Sequence, residues 1–427
     1  MRAQPRWSRA LSVAVLAVYF AAVIVPAARH PNTDGFAAYY TASRILLSQP
    51  GDVPRLYDDA WFQSHIEQFG FEGVRDIYNI QPPTMTLLMV PVAWMPRPLA
   101  RAVWITLAAA CWIGACALLY RFVSSGSLNL SSLVVFAAAT TAYLPVRENF
   151  KRGQCYALLL LLLVTHFRLL TSRRPWARWA AGAPLGFMLA IKVAGAWLWP
   201  LLLLSRRWAT VAVAAITFAS VSLGASLIFG WAAWQPYLRE LPRLAHDPMR
   251  DTSGYQTVTS LFGHLFIRDP IYSPRPVANL PLVAQCASAL VTVCAIVLSV
   301  RSQRLDDESR HARALSIAVF DALVVSLAPI AETYHYLLVL PAVAIAWSWA
   351  LETRPSIGTW VTLAAATLLL MIPQKLYIAP GIQAGWSALL AYPRVYGAVV
   401  LWAWLIRALG KVAARDRQSS AVEAAVS

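Results

Sequence analysis

The sequence has 427 residues, of which 59% are hydrophobic and 13% are charged, with a mean hydropathy of +0.55. Soluble globular proteins are about 45 to 50% apolar and about 25% charged, so this composition excludes a water-soluble fold. The net charge of +16 is typical of basic cytoplasmic loops in a polytopic membrane protein, and we predict no nucleic-acid partner. The five cysteines show no disulfide or zinc spacing, and we predict neither a metal nor a cofactor.

The chain opens with an apolar run over 10–28, preceded by Arg2, Arg6 and Arg9. A secretory signal peptide begins in the same way. However, residues 29–31 (Arg-His-Pro) are not a small-residue cleavage site, so we predict a retained first span. Its basic start predicts a cytoplasmic N-terminus.

A polar insertion over 29–79 follows, with seven acidic and four basic side chains, and we expect it outside the cytoplasm. Thr33 or Asp34 can cap an amphipathic segment that begins near Phe36, and a second such segment follows Asp58. Aromatic residues beside polar ones predict that both segments are helices at the membrane interface.

The remaining apolar segments bring the total to about twelve transmembrane helices in one membrane-embedded, all-α domain, 1–427. A second outer loop is predicted at 231–277, with helical segments 234–244 and 255–266, and a cytoplasmic tail at 407–427. The predicted spans are 10–28, 80–96, 99–122, 131–146, 154–170, 177–204, 207–230, 278–300, 314–330, 333–350, 356–372 and 383–406.

Successive spans place successive loops on alternating sides of the membrane, and the basic clusters test this assignment. Most of them fall in the cytoplasm, as the distribution of Lys and Arg in membrane proteins requires. One cluster disagrees, because Arg168 to Arg178 falls outside while Arg147 to Arg152 falls inside, so the side of the Gly153-Gln154 turn stays open. The clusters that agree are Arg97 with Arg101, Arg206 with Arg207, four arginines over 301–313, Arg354, and 407–417.

Ionisable groups beside or within apolar spans are the candidates for function, because an unpaired charge there costs several kcal/mol. Asp34 could act as a general base at the outer interface or merely cap the next helix. Lys192, deep in an apolar run, could hold a phosphate or pair with a carboxylate such as Asp321; snorkelling to the interface is the alternative. Lys375, in a Pro-Gln-Lys sequence, completes this set.

Two further segments carry polar groups next to helix starts. His335 could donate to a phosphate or sugar oxygen, or be an ordinary polar group near a helix start. The run 147–154 places three cations and a glycine before a helix, which is compatible with an anion site and equally with a basic cytoplasmic loop.

The order of these motifs resembles glycosyltransferase family 87, membrane enzymes of the GT-C class, over roughly residues 10–405. The matching segments are Asp34 to Tyr40, Leu56-Tyr57, Tyr78 to Pro83, Gly153-Gln154, the stretch 181–192 that ends at Lys192, and Ala328 to His335. Ala328 and Tyr334 stand where the family has serine and histidine, and Tyr255-Gln256-Thr257 stands where it has Asn-Gln-Ser.

The resemblance implies an inverting transfer of a sugar, most simply mannose, from a polyprenyl-phosphate donor to a glycolipid or cell-envelope glycan. The enzyme would lie in the plasma (inner) membrane with its active site outside the cytoplasm. Asp34 matches the family's general base. The donor phosphate would contact cations and hydrogen-bond donors, with neighbouring tyrosines completing the site: His335 and Lys192 first, then Gln154, Gln256 and Lys375, with Tyr39 and Tyr40.

Composition alone allows two other classes of protein. A transporter or lipid flippase also combines many spans with a few buried charges, but the sequence shows no inverted repeat. A non-catalytic scaffold explains the hydropathy but not the combination of Asp34, Lys192 and His335. The long outer loop after the first span favours the enzyme.

Overall fold

The computed structural model describes residues 6–124, 130–193, 195–196, 198–307 and 309–426. Arg2 of the basic N-terminal segment lies outside these ranges. All the regular elements found in these ranges are helical, as predicted. Short 3₁₀ or π turns connect several α-helices; among them are Pro50–Tyr57, Thr333–Val339 and Gly385–Ala391.

The α-helices are numbered in chain order. They are α1 (Arg6–Tyr19), α2 (Val25–Arg29), α3 (Phe36–Ser48), α4 (Asp59–Gln68), α5 (Met85–Ala93), α6 (Arg97–Val123), α7 (Leu130–Thr141), α8 (Leu144–Arg152), α9 (Tyr156–Leu170), α10 (Pro175–Ala180), α11 (Gly182–Lys192), α12 (Leu198–Leu204), α13 (Trp208–Phe229), α14 (Trp234–Ala245), α15 (Val258–Phe266), α16 (Pro281–Ser302), α17 (Arg310–Asp321), α18 (Leu340–Thr353), α19 (Ile357–Leu370), α20 (Gln374–Tyr377) and α21 (Pro393–Val426).

Within the described residues, six helical segments are long and apolar enough to cross a membrane. A seventh crossing is possible if α7 and α8, which meet at an 80° bend, form one span. Two shorter apolar helices, α9 and α19, coincide with predicted spans as well. The six segments are Trp7–Arg29, Arg97–Val123, Trp208–Phe229, Pro281–Ser302, Thr333–Thr353 and Pro393–Val412.

Three predicted spans have a different form. Within 80–96 the helix α5 has nine residues, about 14 Å at 1.5 Å per residue, where the hydrocarbon core needs about 30 Å. The run 177–204 is broken into α10, α11 and α12. In 314–330, helix α17 ends at Asp321 and turns follow.

Contacts of Arg101 join the start of α6 to two other segments. Its Nε donates to the carbonyl of Ala27 at 2.7 Å, and its Nη2 donates to the carbonyls of Phe150 and Lys151. The start of α6 therefore lies beside the end of the first span and the end of α8.

The two helices predicted in the first loop are present as α3 and α4. Asp58 caps α4 as predicted, accepting from the backbone N–H of Trp61 at 3.1 Å. Helix α3 differs from its prediction because ten of its thirteen residues are buried. A helix lying on a membrane keeps a polar face in water, so α3 is an enclosed element, whereas α4 has the exposed polar face expected at an interface.

The chain divides into two compact units. Unit 1 comprises residues 1–120, 126–196 and 208–247, and unit 2 comprises 121–125, 197–207 and 248–427. In unit 2, α17, α18, α19 and α21 pack together, and their core encloses Arg394. Unit 1 contains the first polar loop, α3 and the closely packed pair α11 and α13.

Glycines allow α11 and α13 to approach closely. A Cβ atom on Gly182 would meet the carbonyl oxygen of Thr210 at 2.3 Å, and one on Gly186 would meet that of Ala214 at the same distance. Small residues four apart on one helix face let backbones pack in this way in membranes. The pairing fixes α11, and with it Lys192 at its C-terminal end.

We expect Gly186→Val to destabilise the protein by about 1 to 3 kcal/mol, because the added side chain overpacks the contact between α11 and α13. Unfolding of purified protein in detergent micelles measures this change. Gly224→Val is the matched control, since a Cβ there meets nothing within 4 Å. Equal stability of the two variants would contradict the packing argument.

Candidate active site

The loop between the first span and α3 is held by Asp76. One oxygen of its carboxyl, Oδ2, accepts from the backbone N–H of Gly35 at 2.5 Å and from that of Ala38 at 3.1 Å. These are N–H groups of the first turn of α3, which need an acceptor from outside the helix. Asp76 therefore caps α3, and the predicted cap by Thr33 or Asp34 is wrong.

The carboxylate of Asp34 forms an ion pair with Arg152 instead. The side chain of Asp34 is 43% exposed and that of Arg152 is 24% exposed, so the pair is reachable from outside. Thr33 donates from its hydroxyl to the carbonyl of Arg152 at 3.2 Å, which ties the same two segments together. The turn at Gly153-Gln154 is thereby placed on the side of Asp34.

Two glycines make this approach possible. Gly35 has φ +83°, and a Cβ there would meet the side-chain nitrogen of Gln154 at 2.4 Å. Gly153 has φ +70° and packs against Arg101 and Phe36. Both positions need a left-handed backbone without a side chain. The sequence analysis noted Gly153 only as part of a turn.

Lys192, Tyr39 and Gln154 form a hydrogen-bonded cluster next to this loop. The Nζ of Lys192 donates to the Tyr39 hydroxyl at 2.7 Å and to Oε1 of Gln154 at 3.1 Å. The Tyr39 hydroxyl in turn donates to the same Oε1 at 2.5 Å. Nζ also lies 5.3 Å and 5.0 Å from the ring centroids of Tyr39 and Tyr156. The side chains in these contacts are all neutral.

Tyr40, predicted as a neighbour of the site, belongs to an aromatic cluster with Phe36 and Phe71. Its hydroxyl donates to the carbonyl of Met95 at 2.9 Å. This position fixes the start of α3 against the segment before α6. Of the two tyrosines, Tyr39 is the one that contacts Lys192.

The second carboxyl of the site has a shifted pKa. Burial, with a smaller contribution from the charge of Asp34, raises the pKa of Asp76 to about 7, although the N–H groups of Gly35, Ile77 and Ala38 favour its charged form and oppose this rise. The residue as a whole is half-buried. The carboxyl groups of Asp34 and Asp76 therefore lie close to Gly35 in different environments.

The remaining predicted residues belong to unit 2. Gln256 is fully buried; its amide donates to the carbonyls of Ser253 and Ala391, and its Oε1 accepts from the backbone of Arg394. His335 is half-buried and stacks on Tyr334 with ring centroids 4.5 Å apart. Its Nδ1 accepts from the backbone N–H of Glu332 at 3.1 Å.

Lys375 is exposed in the four-residue helix α20. Asp321, considered as a partner for Lys192, accepts from the backbone N–H of Ala342 at 2.9 Å. Within unit 2, a main-chain bond at 2.8 Å from Gln256 to Ala331 joins the second outer loop to the segment that contains His335. In the described ranges, no group of three or more His, Cys, Asp or Glu residues could hold a metal ion.

Sequence reasoning missed Asp76 and did not single out Arg152. Asp76 is one of seven acidic residues in its loop, and the contact to Gly35 spans 41 positions, so no local pattern reveals it. Arg152 lies in the basic run 147–154, which the sequence leaves open as an anion site or a basic cytoplasmic loop. The start of a helix prefers a capping side chain such as aspartate, and this preference is the signal in the sequence that could have pointed to Asp76.

The helical fold and its apolar spans define a polytopic membrane protein, and its first polar loop carries an accessible carboxylate paired with Arg152. The family model for glycosyltransferase family 87 matches residues 79–327, more than half of the chain. The chain belongs to glycosyltransferase family 87 and is a glycosyltransferase. Family membership decides for the enzyme over the transporter and the scaffold.

One curated relative extends the comparison. It is the polyprenol-phosphate-mannose-dependent alpha-(1-2)-phosphatidylinositol mannoside mannosyltransferase of Mycolicibacterium smegmatis. This protein is 25% identical over 347 residues, covering 77% of the chain and 76% of the relative. No solved structure matches the chain. Asp34 and Tyr39 lie before the segment matched by the family model, so their roles rest on the geometry above.

The pKa of Asp76 predicts a pH-dependent stability. A free aspartate titrates near pH 4, so the stability gained from the neutral buried carboxyl is complete below about pH 4 and is lost as pH rises through about 7. Asp76→Asn keeps an oxygen acceptor for α3 and removes the charge. We expect the stability of this variant, relative to the natural protein, to increase between pH 4 and 7.5.

Unfolding in detergent micelles across this pH range measures the effect. Asp52→Asn serves as the control, because Asp52 is a partly exposed carboxylate of the same loop, paired with Arg55 at 3.8 Å. Parallel stability curves for the natural protein and Asp76→Asn would show that Asp76 does not titrate in this range.

Proposed function

We propose that the chain transfers a sugar, most simply mannose, from a polyprenyl-phosphate donor to a hydroxyl of a membrane glycolipid or cell-envelope glycan. Family 87 membership supports the transfer, and the name of the mycobacterial relative supports the donor and the sugar. A donor anchored in lipid also accounts for the dominance of apolar helices, since both substrates then remain at the membrane.

Asp34 carries the proposal. Its carboxylate is free from the capping role, which Asp76 fills, and is exposed enough to reach a substrate. As general base, Asp34 accepts the proton of the acceptor hydroxyl while that oxygen attacks the anomeric carbon. The bond from this carbon to the phosphate oxygen breaks, and its electron pair leaves with the polyprenyl phosphate. Attack opposite to the leaving group inverts the anomeric centre.

The leaving phosphate needs cations and hydrogen-bond donors in a site of low water content. Lys192 is the first candidate, because Tyr39 and Gln154 hold its ammonium group beside the Asp34 loop. Arg152 is the second, next to the base itself. His335 remains a candidate donor, whereas Gln256 is fully used in holding unit 2 together and Lys375 is exposed.

The path that we propose through the membrane has no crossing at 80–96, because α5 is short and Arg101 at the start of α6 contacts Ala27 at the end of the first span. With no crossing at 80–96, residues 29–96 stay on one face, together with the Gly153-Gln154 turn. The chain then crosses through α9, so that Arg168 to Arg178 moves to the face opposite to Asp34. This was the cluster that disagreed with the distribution of basic residues, and the corrected path places it in the cytoplasm.

The run 177–204 enters the membrane and returns. The hydroxyl of Thr210 donates to the carbonyl of Arg178 at 2.9 Å, so both flanks of the run lie on one face, while Lys192 reaches Gln154 near the other. We therefore propose ten crossings and one re-entrant segment in place of twelve spans. The N-terminus and the 407–427 tail are cytoplasmic, and the active site faces outward from the plasma (inner) membrane.

We also propose that residues 1–427 act as one membrane-embedded catalytic domain. The family match runs continuously from 79 to 327 and so includes parts of both compact units. Helix α4, with its exposed polar face, remains the candidate for an interfacial helix of the first loop.

We expect Asp34→Asn to lower sugar transfer by at least about a hundredfold, because loss of a general base costs about 10²- to 10⁴-fold. Purified protein is assayed with radiolabelled polyprenyl-phosphate mannose and a panel of glycolipid acceptors. Asp52→Asn in the same loop is the control and retains activity. Transfer by Asp34→Asn at the natural rate would remove Asp34 as the base.

The corrected path predicts opposite exposure of Asp52 and Ser172. Single cysteines at these positions, in a chain whose five natural cysteines are replaced, are labelled with a membrane-impermeant maleimide in intact cells. We expect labelling at 52 in intact cells and at 172 only after permeabilisation. Labelling of both positions in intact cells would restore the twelve-span path and refute the re-entrant one.

A further inference from the structure

Unit 2 contains a polar groove of about 230 Å³ at the other end of the span from His335. It is formed by the end of α18, the start of α19 and the last spanning turns of α21. The span Thr333–Thr353 begins next to His335 and ends at the groove, and its 21 residues extend about 30 Å. That length equals the thickness of the hydrocarbon core, so the groove lies at the headgroup level of the opposite membrane face.

The groove has the chemistry of an anion site. Arg407 and Lys411 are exposed, lie four residues apart on α21 and both line it. Ser356, Thr359 and Thr362 add hydroxyl groups at the N-terminal end of the fourteen-residue helix α19, which carries a partial positive charge. Among the described residues that line the groove, none is acidic.

A rigid aromatic floor supports these groups. Trp349 and Trp404 are buried and meet edge to face, with ring centroids 5.5 Å apart at an angle of 89°. The indole N–H of Trp404 donates to the carbonyl of Thr359 at 3.1 Å, which fixes the start of α19 against α21. The cations and hydroxyls are therefore held on packed helices instead of a loop.

Apolar side chains beside the groove indicate which anion would bind. Ile357 and Val361 lie next to Gly358 and Thr362 on α19 and are 79% and 61% exposed; Leu351 at the end of α18 is 64% exposed. Such residues face acyl chains in a membrane. A free phosphate would use only the cations, whereas a phospholipid would use the cations and this apolar surface together.

We propose that this groove binds the headgroup phosphate of an anionic membrane phospholipid, separately from the sugar-transfer site. Arg407 and Lys411 contact the phosphate, the hydroxyls at the start of α19 donate to its oxygens, and the acyl chains lie along Ile357 and Val361. The site anchors the end of unit 2 in the leaflet opposite to His335.

Native mass spectrometry of the full chain in neutral detergent tests the proposal. Short-chain phosphatidylglycerol and phosphatidylcholine are titrated against the natural protein and against the double variant Arg407→Gln/Lys411→Gln. We expect the natural protein to prefer phosphatidylglycerol and the double variant to bind it at least about tenfold more weakly. Arg301→Gln, an exposed arginine at the end of α16, is the matched control and keeps the preference.

Competition with inorganic phosphate distinguishes the two sources of the anion. Phosphate that displaces the lipid at equal concentration would show a simple anion site and overturn the lipid proposal. Equal binding of the two lipids by the natural protein would overturn it as well, and that measurement does not depend on any variant folding. Sugar transfer by the double variant at the natural rate is expected, since neither residue belongs to the catalytic site.

Discussion

The capping of α3 by Asp76 is the interaction on which the proposed active site depends. A helix N-terminus needs acceptors for its first N–H groups, and a nearby aspartate usually provides one. Here the acceptor comes from 41 residues away, so Asp34 is not needed for this purpose. Its carboxylate pairs with Arg152 instead and stays exposed at the edge of a mostly apolar protein.

The enclosed cationic side chains described above fall into two groups, according to whether they are held by backbone carbonyls or by other side chains. Arg101 and Arg394 are fully buried, and the guanidinium of each donates to backbone carbonyls, of Ala27 and Phe150 in one case and of Leu370 and Ile372 in the other. They connect segments and have a structural role. Lys192 is held instead by the side chains of Tyr39 and Gln154. Side chains can rearrange when a ligand binds, which suits a residue that contacts a phosphate.

The sequence predicted the parts of this arrangement that depend on local pattern. Apolar runs, the Asp58 cap and the helical segments of both loops could be read directly, because composition and spacing determine them. The nine-residue α5 was misread as a span, since Pro82, Pro83 and Pro91 interrupt an apolar run without changing its hydropathy. The Asp34–Arg152 and Lys192–Gln154 contacts could not be predicted, because they join segments 118 and 38 residues apart.

The proposed path without a crossing at 80–96 bears on which basic residues lie beside Asp34. In the twelve-span path, Arg168 to Arg178 conflicts with the distribution of basic residues and the side of Gly153-Gln154 stays open. The proposed path removes that conflict and puts the turn on the side of Asp34. In that path Arg97, Arg101, Arg147, Lys151 and Arg152 depart from the cytoplasmic bias, and Arg101 and Arg152 among them contact the segments around the Asp34 loop. Cations retained on the outer face against that bias have a local reason to be there, and a phosphate-bearing donor provides it.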